Sequence, residues 1–569
     1  MERIWLQHYD PGVPEDVDIP EKTLPEMFKN TVARFPDHPH LKFMRNTFTY
    51  RQVSALADNF AAVLAGLGLP KGSRVALNLP NSPQFVFCYL GAMQAGCTVV
   101  PCNPIYTERE MEHQLNDCEA ELIVTLSRFY PQIRRLKQKT RLRTIISTNI
   151  KEYFPWWMKP LYTLFMEKKN GDRVNIEADD YRLPELMKKC SNVSAAPIKA
   201  DLAVPACIMY TGGTTGLAKG VVLTHRNLVA NPIAIFSWMP DAKEGQEIGL
   251  ALLPFFHVFG LGTLLNLSLI FCGTLLLIPQ FDVKMMLGNI HRNRPTLFPG
   301  VPTMYVAIIN HQNLKKYDLS SLRVCISGGA PLPLEVQKKF QELTGCRLLE
   351  GYGLSEAPPV THINPIYGEG KSGTIGIPIP GTLAKIVAMN DPTRDLGIGE
   401  IGQLAVKGPQ VMKGYLNRPE ETAAVLQDGW FLTGDIATMD QDGYFTIVDR
   451  QKEMIISGGY NIYPREIEEV LYAHDKILEA AVVGRPDRYR GEIAKAYLVL
   501  KEGATLTETE VLDYCKEQLA IYKVPQQVEF RTELPKSLIG KVMKRLLDDN
   551  RPGEGAAPAE EQMKGKEAE

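Results

Sequence analysis

Eleven residues, Tyr210-Thr-Gly-Gly-Thr-Thr-Gly-Leu-Ala-Lys-Gly220, hold three threonines, four glycines and one lysine. They follow the apolar run Ala206–Tyr210. An apolar strand entering a Gly/Thr loop offers backbone N–H groups and hydroxyls that can wrap a polyphosphate. Glycine lets the backbone approach the anion, and lysine adds a mobile positive charge. The loop is not of the Walker type, which needs Gly-Lys-Ser/Thr opening a helix, because Lys219 is followed by Gly220. The competing reading is a glycine-rich turn between strands.

The elements that must carry this loop can be traced. Arg74–Leu79 reads as a strand, a helix follows around Gln84–Ala95, and a second strand covers Thr98–Pro101. Such a βαβ unit predicts a parallel sheet with covering helices. Similar apolar runs occur at Leu122–Leu126, Ala206–Tyr210, Arg323–Ser327 and Arg347–Glu350. The last three end in glycine, serine or charge, where ligands bind at the carboxyl ends of such strands. No repeat of fixed period is found. Composition changes near Asp449-Arg-Gln-Lys-Glu453, and beyond it strands are expected at Met454–Ser457, Glu479–Val483 and Ile493–Leu500. Helices are expected at Pro464–Tyr472 and Thr507–Ala520; Pro464 suits a first helical position, and Ile467, Val470 and Leu471 form an apolar stripe. The fold class is therefore a large α/β N-terminal domain (1–450), built on mixed or parallel sheets with covering helices, plus a small α+β C-terminal domain (451–550). Residues 551–569 read as a disordered polar tail.

At 569 residues the chain exceeds one ordinary core. Its 45 % apolar and 22 % charged residues are those of a globular protein. A net charge of −2 gives no basic field for nucleic acid. The ten cysteines are scattered, without CxxC pairs or zinc spacing. With no signal sequence read at Met1–Trp5, they predict a reducing cytosol. Ile248–Phe281 lacks Asp, Glu, Lys and Arg and is long enough to span a bilayer. Pro254, His257, Gly260, Gly262 and Gly273 interrupt it, so buried strands and helices are expected there instead.

Further motifs follow in order: Pro254-Phe-Phe-His-Val-Phe-Gly260, Ser327-Gly-Gly-Ala-Pro331, Gly351-Tyr-Gly-Leu-Ser-Glu356 and Thr433-Gly-Asp435. Then come Asp449-Arg-Gln-Lys452, Ser457-Gly-Gly-Tyr-Asn461 and Pro535-Lys-Ser-Leu-Ile-Gly-Lys541. Together they closely resemble the adenylate-forming (AMP-binding) superfamily, in particular its acyl-coenzyme A synthetases, over about residues 25–548. The pair Gly212-Gly213, the stretch Asn103–Glu110 and the block from Asp428 to Arg450 resemble the long-chain fatty acid branch. The resemblance implies ATP-dependent activation of a fatty acid to an acyl-adenylate with loss of pyrophosphate, then displacement of AMP by coenzyme A.

It also implies roles. Thr211, Gly212, Gly213, Thr214, Thr215, Gly216 and Lys219 would hold the phosphates, with Thr215 and Glu356 as ligands of Mg2+. Tyr352 would offer a flat face to adenine, with Gly328, Gly329, Ala330, Gly351, Gly353 and Ser355 around it. Asp435 and Arg450, with Ile447 nearby, would meet the ribose; an ordinary ion pair between the two is the alternative. Lys541 would be the catalytic cation that reaches the carboxylate and the α-phosphate. His257 would orient the acid, without a general-base role, because a carboxylate is already ionised at neutral pH. Lys452 would be the hinge of a mobile small domain, and Gly458, Gly459 and Tyr460 would lie near the thiol of coenzyme A.

Ile248–Phe281, Gly300–Tyr305 and Gly328–Pro331 could line an acyl tunnel, though the same residues would build any core. Tyr153–Met166 packs six aromatics beside Lys159, Lys168 and Lys169. Either a membrane interface or a loop packed on the protein or in a dimer accounts for it. Three positions depart from the family pattern: Gly212 for Ser, Ala218 for Pro and Ser355 for Thr. The expected partners are a fatty acid, ATP and coenzyme A, with Mg2+ as cofactor and no nucleic acid; a homodimer is left open. The expected location is cytoplasmic, with peripheral attachment at the inner face of the membrane through 153–169 as an alternative. Competing functions are a ligase of the same fold for medium-chain or aryl acids, and a non-catalytic acyl- or nucleotide-binding relative. A carrier-protein acceptor is disfavoured because no carrier domain is read after residue 550.

Overall fold

Arg74–Asn78 and Thr98–Pro101 are parallel strands joined by the helix Pro83–Gln94. They belong to a computed structural model that describes residues 2–190, 201–211, 218–457, 460–537 and 541–547. The helix starts where Ser82 accepts a hydrogen bond from Phe85 N–H at 3.3 Å and Pro83 pre-sets the first turn. Its residues are buried through Met93 because it lies between the sheet and the helix Tyr50–Gly66. A Cβ on Gly91 would stand 2.5 Å from the Ala57 carbonyl oxygen, so the close approach of these two helices needs glycine there.

By contact the chain separates into two units, one holding the residues up to Met454 together with Lys541, the other Ile455–Ser537 and the residues from Val542. Among the described residues the first unit has three sheets. The eight-stranded sheet runs in the order Gly414–Tyr415, Lys219–Thr224, Pro205–Thr211, Thr98–Pro101, Arg74–Asn78, Leu122–Leu126, Thr144–Thr148, Tyr181–Arg182. It is parallel from Pro205–Thr211 to its far edge and antiparallel at the near edge.

The nine-stranded sheet has a parallel centre formed by Leu348–Tyr352, Val324–Ser327, Leu297–Gly300, Ile248–Ala251, Thr274–Leu277 and Pro39–Phe43. Its central strands are buried, as parallel strands covered on both faces must be. The six-stranded sheet is antiparallel and includes Leu383–Ala388, Gly402–Lys407, Trp430–Met439 and Phe445–Arg450. The uncharged stretch from Ile248 resolves into the strand Ile248–Ala251, a helix with a π-helical turn at Leu261–Asn266, and the strand Thr274–Leu277. No described helix is long and apolar enough to cross a membrane.

In the second unit, Ile455–Ser457, Tyr460–Ile462, Ile477–Asp487, Gly491–Leu500 and Gln527–Phe530 form one sheet. The helices Pro464–Tyr472 and Glu508–Gln518 pack with it around Ile467, Leu471, Val482, Leu498 and Val511. The large α/β body and smaller α+β body agree with the fold class expected from the sequence. The tail from residue 551 lies outside the described residues.

Candidate active site

The glycine-threonine loop joins two antiparallel strands. Thr211 pairs with Lys219 and Tyr210 with Gly220, so a strand rather than a helix follows the loop. That geometry rules out a Walker loop. Gly220 is pressed between strands: an added Cβ would meet Ile208 at 2.9 Å and Tyr210 at 3.2 Å. Both ends of the loop are braced from neighbouring elements. Tyr210 Oη donates to Asp117 Oδ2 at 2.7 Å, and His113 Nε2 lies 3.0 Å from the Ala218 carbonyl oxygen. Gly212, Gly213, Thr214, Thr215 and Gly216 lie outside the described residues, as do Gly458 and Gly459.

The parallel strands Val324–Ser327 and Leu348–Tyr352 end side by side, with Ser327 paired to Glu350. Their carboxyl ends carry Gly328, Gly329 and Ala330 on one side and Gly351, Tyr352 and Gly353 on the other. Gly329 has φ +77°, in the left-handed region that favours glycine. Gly353 is more tightly constrained, since a Cβ there would fall 1.9 Å from the Pro359 carbonyl oxygen. Ser355 follows in the bend and is half-buried.

Tyr352 meets the antiparallel sheet through its hydroxyl, which donates to Asp435 Oδ2 at 2.5 Å. Asp435 is paired across the strands with Arg450, whose Nε lies 3.3 Å from Asp435 Oδ1. The Asp435–Arg450 ion pair is therefore formed. The carboxylate is buried, while the Arg450 side chain is 40 % exposed. Burial and the Asp435 charge raise the Tyr352 phenol well above its usual range, so it remains a donor. Ile447 lies on the same strand as Arg450, Phe445–Arg450.

Glu356 accepts from Tyr415 Oη at 2.8 Å. Burial raises its carboxyl above the ordinary range, against the hydrogen bond from Tyr415 and the charge of Arg450. A shielded carboxylate that a cation would stabilise fits a hard divalent ion taking one or two protein oxygens and completing its shell with phosphate and water. Among the described residues no cluster of three or more His, Cys, Asp or Glu could hold a metal unaided. Across the Tyr415 ring lies Lys219, its Nζ 5.1 Å from the centroid and ion-paired with Glu421.

His257 caps the short helix Val258–Gly260, its Nδ1 accepting from Phe259 N–H at 3.3 Å. Burial, and then the charge of Lys541, lowers its pKa to about 4, so it is neutral at physiological pH. Lys452 is exposed in the turn after Arg450. Tyr460, in the second unit, is exposed and stacks on Tyr522 with centroids 4.7 Å apart.

The described residues of the first unit thus form two clusters, Tyr352–Asp435–Arg450 and Lys219–Tyr415–Glu356. Tyr415 and Glu421 were not singled out from the sequence. The signal available was Lys413-Gly-Tyr-Leu-Asn-Arg-Pro-Glu-Glu421, an aromatic among charges, whose partners lie far away in the chain.

A parallel-centred sheet joined to an antiparallel one, with clustered site residues on strand ends, is the architecture of the adenylate-forming enzymes. Residues 28–416 match the AMP-binding enzyme family and residues 466–541 match the AMP-binding enzyme C-terminal domain. This chain belongs to the AMP-binding enzyme family. It is 46 % identical to a long-chain-fatty-acid–CoA ligase of Bacillus subtilis, covering 95 % of this chain and 97 % of the relative. A long-chain-fatty-acid–CoA ligase of Yersinia pestis is 40 % identical over 96 % of this chain and 98 % of its own length. Among solved structures, ATP-bound MatB from Rhodopseudomonas palustris superposes with a TM-score of 0.81 at 29 % identity, covering 92 % of this chain and 98 % of that one.

Proposed function

We propose that this chain is a long-chain fatty acid–coenzyme A ligase. The observation that carries the reading is its 46 % identity, over nearly the full length, to a relative with that activity. Retention of Lys219, Glu356, Asp435, Arg450 and Lys541 supports catalysis rather than mere binding.

In the first step the acid's carboxylate oxygen attacks the α-phosphorus, an O–P bond forms, and the bond to the β-phosphate oxygen breaks to release pyrophosphate. In the second the thiol sulfur attacks the acyl carbon, loses its proton, and AMP departs with the former acid oxygen. No electrons are gained or lost overall. Two anions are brought together, so the protein's contribution is positioning and charge stabilisation. Lys541 supplies positive charge between the carboxylate and the α-phosphate, and Lys219 meets the outer phosphates. Asp435 accepts from the ribose hydroxyls while Arg450 donates. Neutral His257 orients the acid without competing for a proton. Glu356 would hold Mg2+, which when bound neutralises phosphate charge. Lys452 is the hinge that lets the second unit serve the two half-reactions in turn, and Tyr460 faces the coenzyme A thiol.

The acid is drawn from a lipid surface. Support comes from the helix Met158–Phe165, in which no residue is buried. Its apolar side chains face outward: Leu164 is 75 % exposed and Phe165 66 %, and Trp156, just before the helix, is 84 % exposed. Its Tyr162 and Thr163 bond to neighbouring side chains of the protein instead. Lys151 Nζ donates to Thr163 Oγ1 at 2.8 Å and pairs with Glu167 at 2.7 Å; Tyr162 donates to Asp172, which Arg128 holds at 2.7 Å. A helix with so much exposed apolar surface, carrying exposed Lys159 and followed by exposed Lys168 and Lys169, suits an anionic bilayer interface. Binding of the full chain to anionic but not zwitterionic vesicles, lost in Trp156→Ser/Phe165→Ser, is expected. Dimerisation lost in the same variant, without vesicle binding, would assign this face to a second copy instead.

The activity is tested by measuring pyrophosphate and AMP release with ATP and Mg2+ against acids from acetate to oleate and benzoate, with and without coenzyme A. Release peaking with long chains, and thioester only with coenzyme A, is expected. A peak with short or aryl acids keeps the mechanism and replaces the substrate. No release with any acid leaves a nucleotide- or acyl-binding protein.

A further inference from the structure

Tyr415 lies on the two-residue strand Gly414–Tyr415, which pairs antiparallel with Lys219–Thr224. Leu416 N–H donates to the Gly220 carbonyl at 2.7 Å, so this strand is fixed to the exit of the glycine-threonine loop. The chain then enters the helix Pro419–Val425, and Tyr415 N–H donates to Thr422 Oγ1 at 2.9 Å. With backbone and ring both held, the phenol contacts two charged groups. Its Oη donates to Glu356 at 2.8 Å and its face carries the Lys219 ammonium. The first turn of the helix supplies Glu421, which pairs with Lys219 and with Arg418 at 3.1 Å.

These contacts differ in strength. Donation to a shielded carboxylate is a charge-assisted bond in a poorly hydrated setting. The Lys219–Glu421 pair has side chains 35 % and 40 % exposed, and an ion pair so open to water is weak. A polyphosphate carries several charges and can displace one carboxylate from Lys219, whereas nothing in the site would replace the phenol on Glu356.

We propose that Tyr415 and Glu421 are positioning residues of the nucleotide site. Tyr415 orients Glu356 toward a cation and holds Lys219 above its ring. Glu421 is a resident counter-anion that Lys219 leaves when polyphosphate arrives. The inference rests on the reading of Glu356 and Lys219 as nucleotide-site groups.

Calorimetric titration of the full chain with a non-hydrolysable ATP analogue, with and without Mg2+, tests it without acid or coenzyme A. Tyr415→Phe should weaken binding about tenfold with Mg2+ and leave metal-free binding unchanged. Glu421→Gln should tighten binding about threefold in both conditions, and the gain should vanish in Lys219→Ala/Glu421→Gln. Weakening of both single variants in parallel, with or without Mg2+ and following a fall in Tm, would reduce both residues to structural roles and overturn the proposal. Unchanged affinities would overturn it too. If Tyr415→Phe does not fold, the opposite sign required of Glu421→Gln still decides. The wild-type acid panel reports separately on the ligase reading: an analogue that binds while no acid turns over removes the ligase and keeps the positioning pair.

Discussion

The Tyr352 hydroxyl and the Asp435 carboxylate are 2.5 Å apart although 83 residues separate them in the chain. One sits at the end of a strand of the nine-stranded sheet and the other in the six-stranded antiparallel sheet, so this bond joins those two sheets where Arg450 also arrives. A ribose placed here would find an acceptor already oriented by a donor on either side.

Asp435→Asn should therefore weaken nucleotide binding about 30-fold, because it removes the charge facing Arg450 and leaves one acceptor oxygen where Tyr352 and Arg450 each use their own. Tyr352→Phe should cost only about fivefold, since Asp435 keeps Arg450. Titration with AMP checks both, and equal losses would place the two residues in one indivisible unit rather than in this order.

Lys541→Ala should slow pyrophosphate release by about 10²–10³-fold, the loss expected for one preorganised donor. Thioester formation from a supplied acyl-adenylate should fall far less. Lys452→Pro should do the reverse, sparing adenylation and impairing the thioester step, because proline restricts the backbone of a hinge. Single-turnover assays of the two half-reactions distinguish these patterns, and an unchanged pyrophosphate rate in Lys541→Ala would remove its role.

Gly353→Ala should destabilise the first unit by about 3 kcal/mol, at the upper end of overpacking costs. The methyl group would overlap the Pro359 carbonyl, and backbone cannot move aside as a flexible side chain can. Gly345→Ala should be milder: its φ of +72° is strained for alanine, but nothing lies within 4 Å. Thermal melts of the two variants would expose any error in this ranking.

Burial lowers the pKa of His40 and His362 to about 3 and of His225 to about 4. His362 Nε2 has no hydrogen-bond partner among the described residues. The unfolded chain binds these protons near pH 6.5 and the folded chain refuses them, so stability falls as pH drops from about 6.5 towards 4. At pH 5 each such histidine costs about 2 kcal/mol. Denaturant midpoints between pH 5 and 7 should have a shallower slope in His362→Phe than in the wild type.

Elements were legible where one local rule sufficed. Thr98–Pro101 and Pro464–Tyr472 occur with the expected bounds: the first is a short apolar run and the second opens with proline before an amphipathic stripe. Strands such as Leu383–Ala388 and Gly402–Lys407 were not read, because their alternation is shallow and their pairing partners lie outside any local window. The same limit hid Tyr415 and Glu421. Their contacts with Lys219 and Glu356 arise from strand pairing and helix docking, which a linear motif does not encode. The exposure of Trp156 and Phe165 was equally undetermined, since aromatics at helical spacing are more often buried.

The pairing of Thr211 with Lys219 has a consequence for how the intervening loop can vary. Side chains alternate between the faces of a strand, so a slip of one position would carry Lys219 to the opposite face, away from Tyr415. A residue inserted or deleted between them must either be absorbed by the loop, changing its curvature, or cause that slip. Substitutions that keep the number of residues avoid both outcomes. Homologous loops should therefore differ in composition, as at Gly212 and Ala218, far more readily than in length.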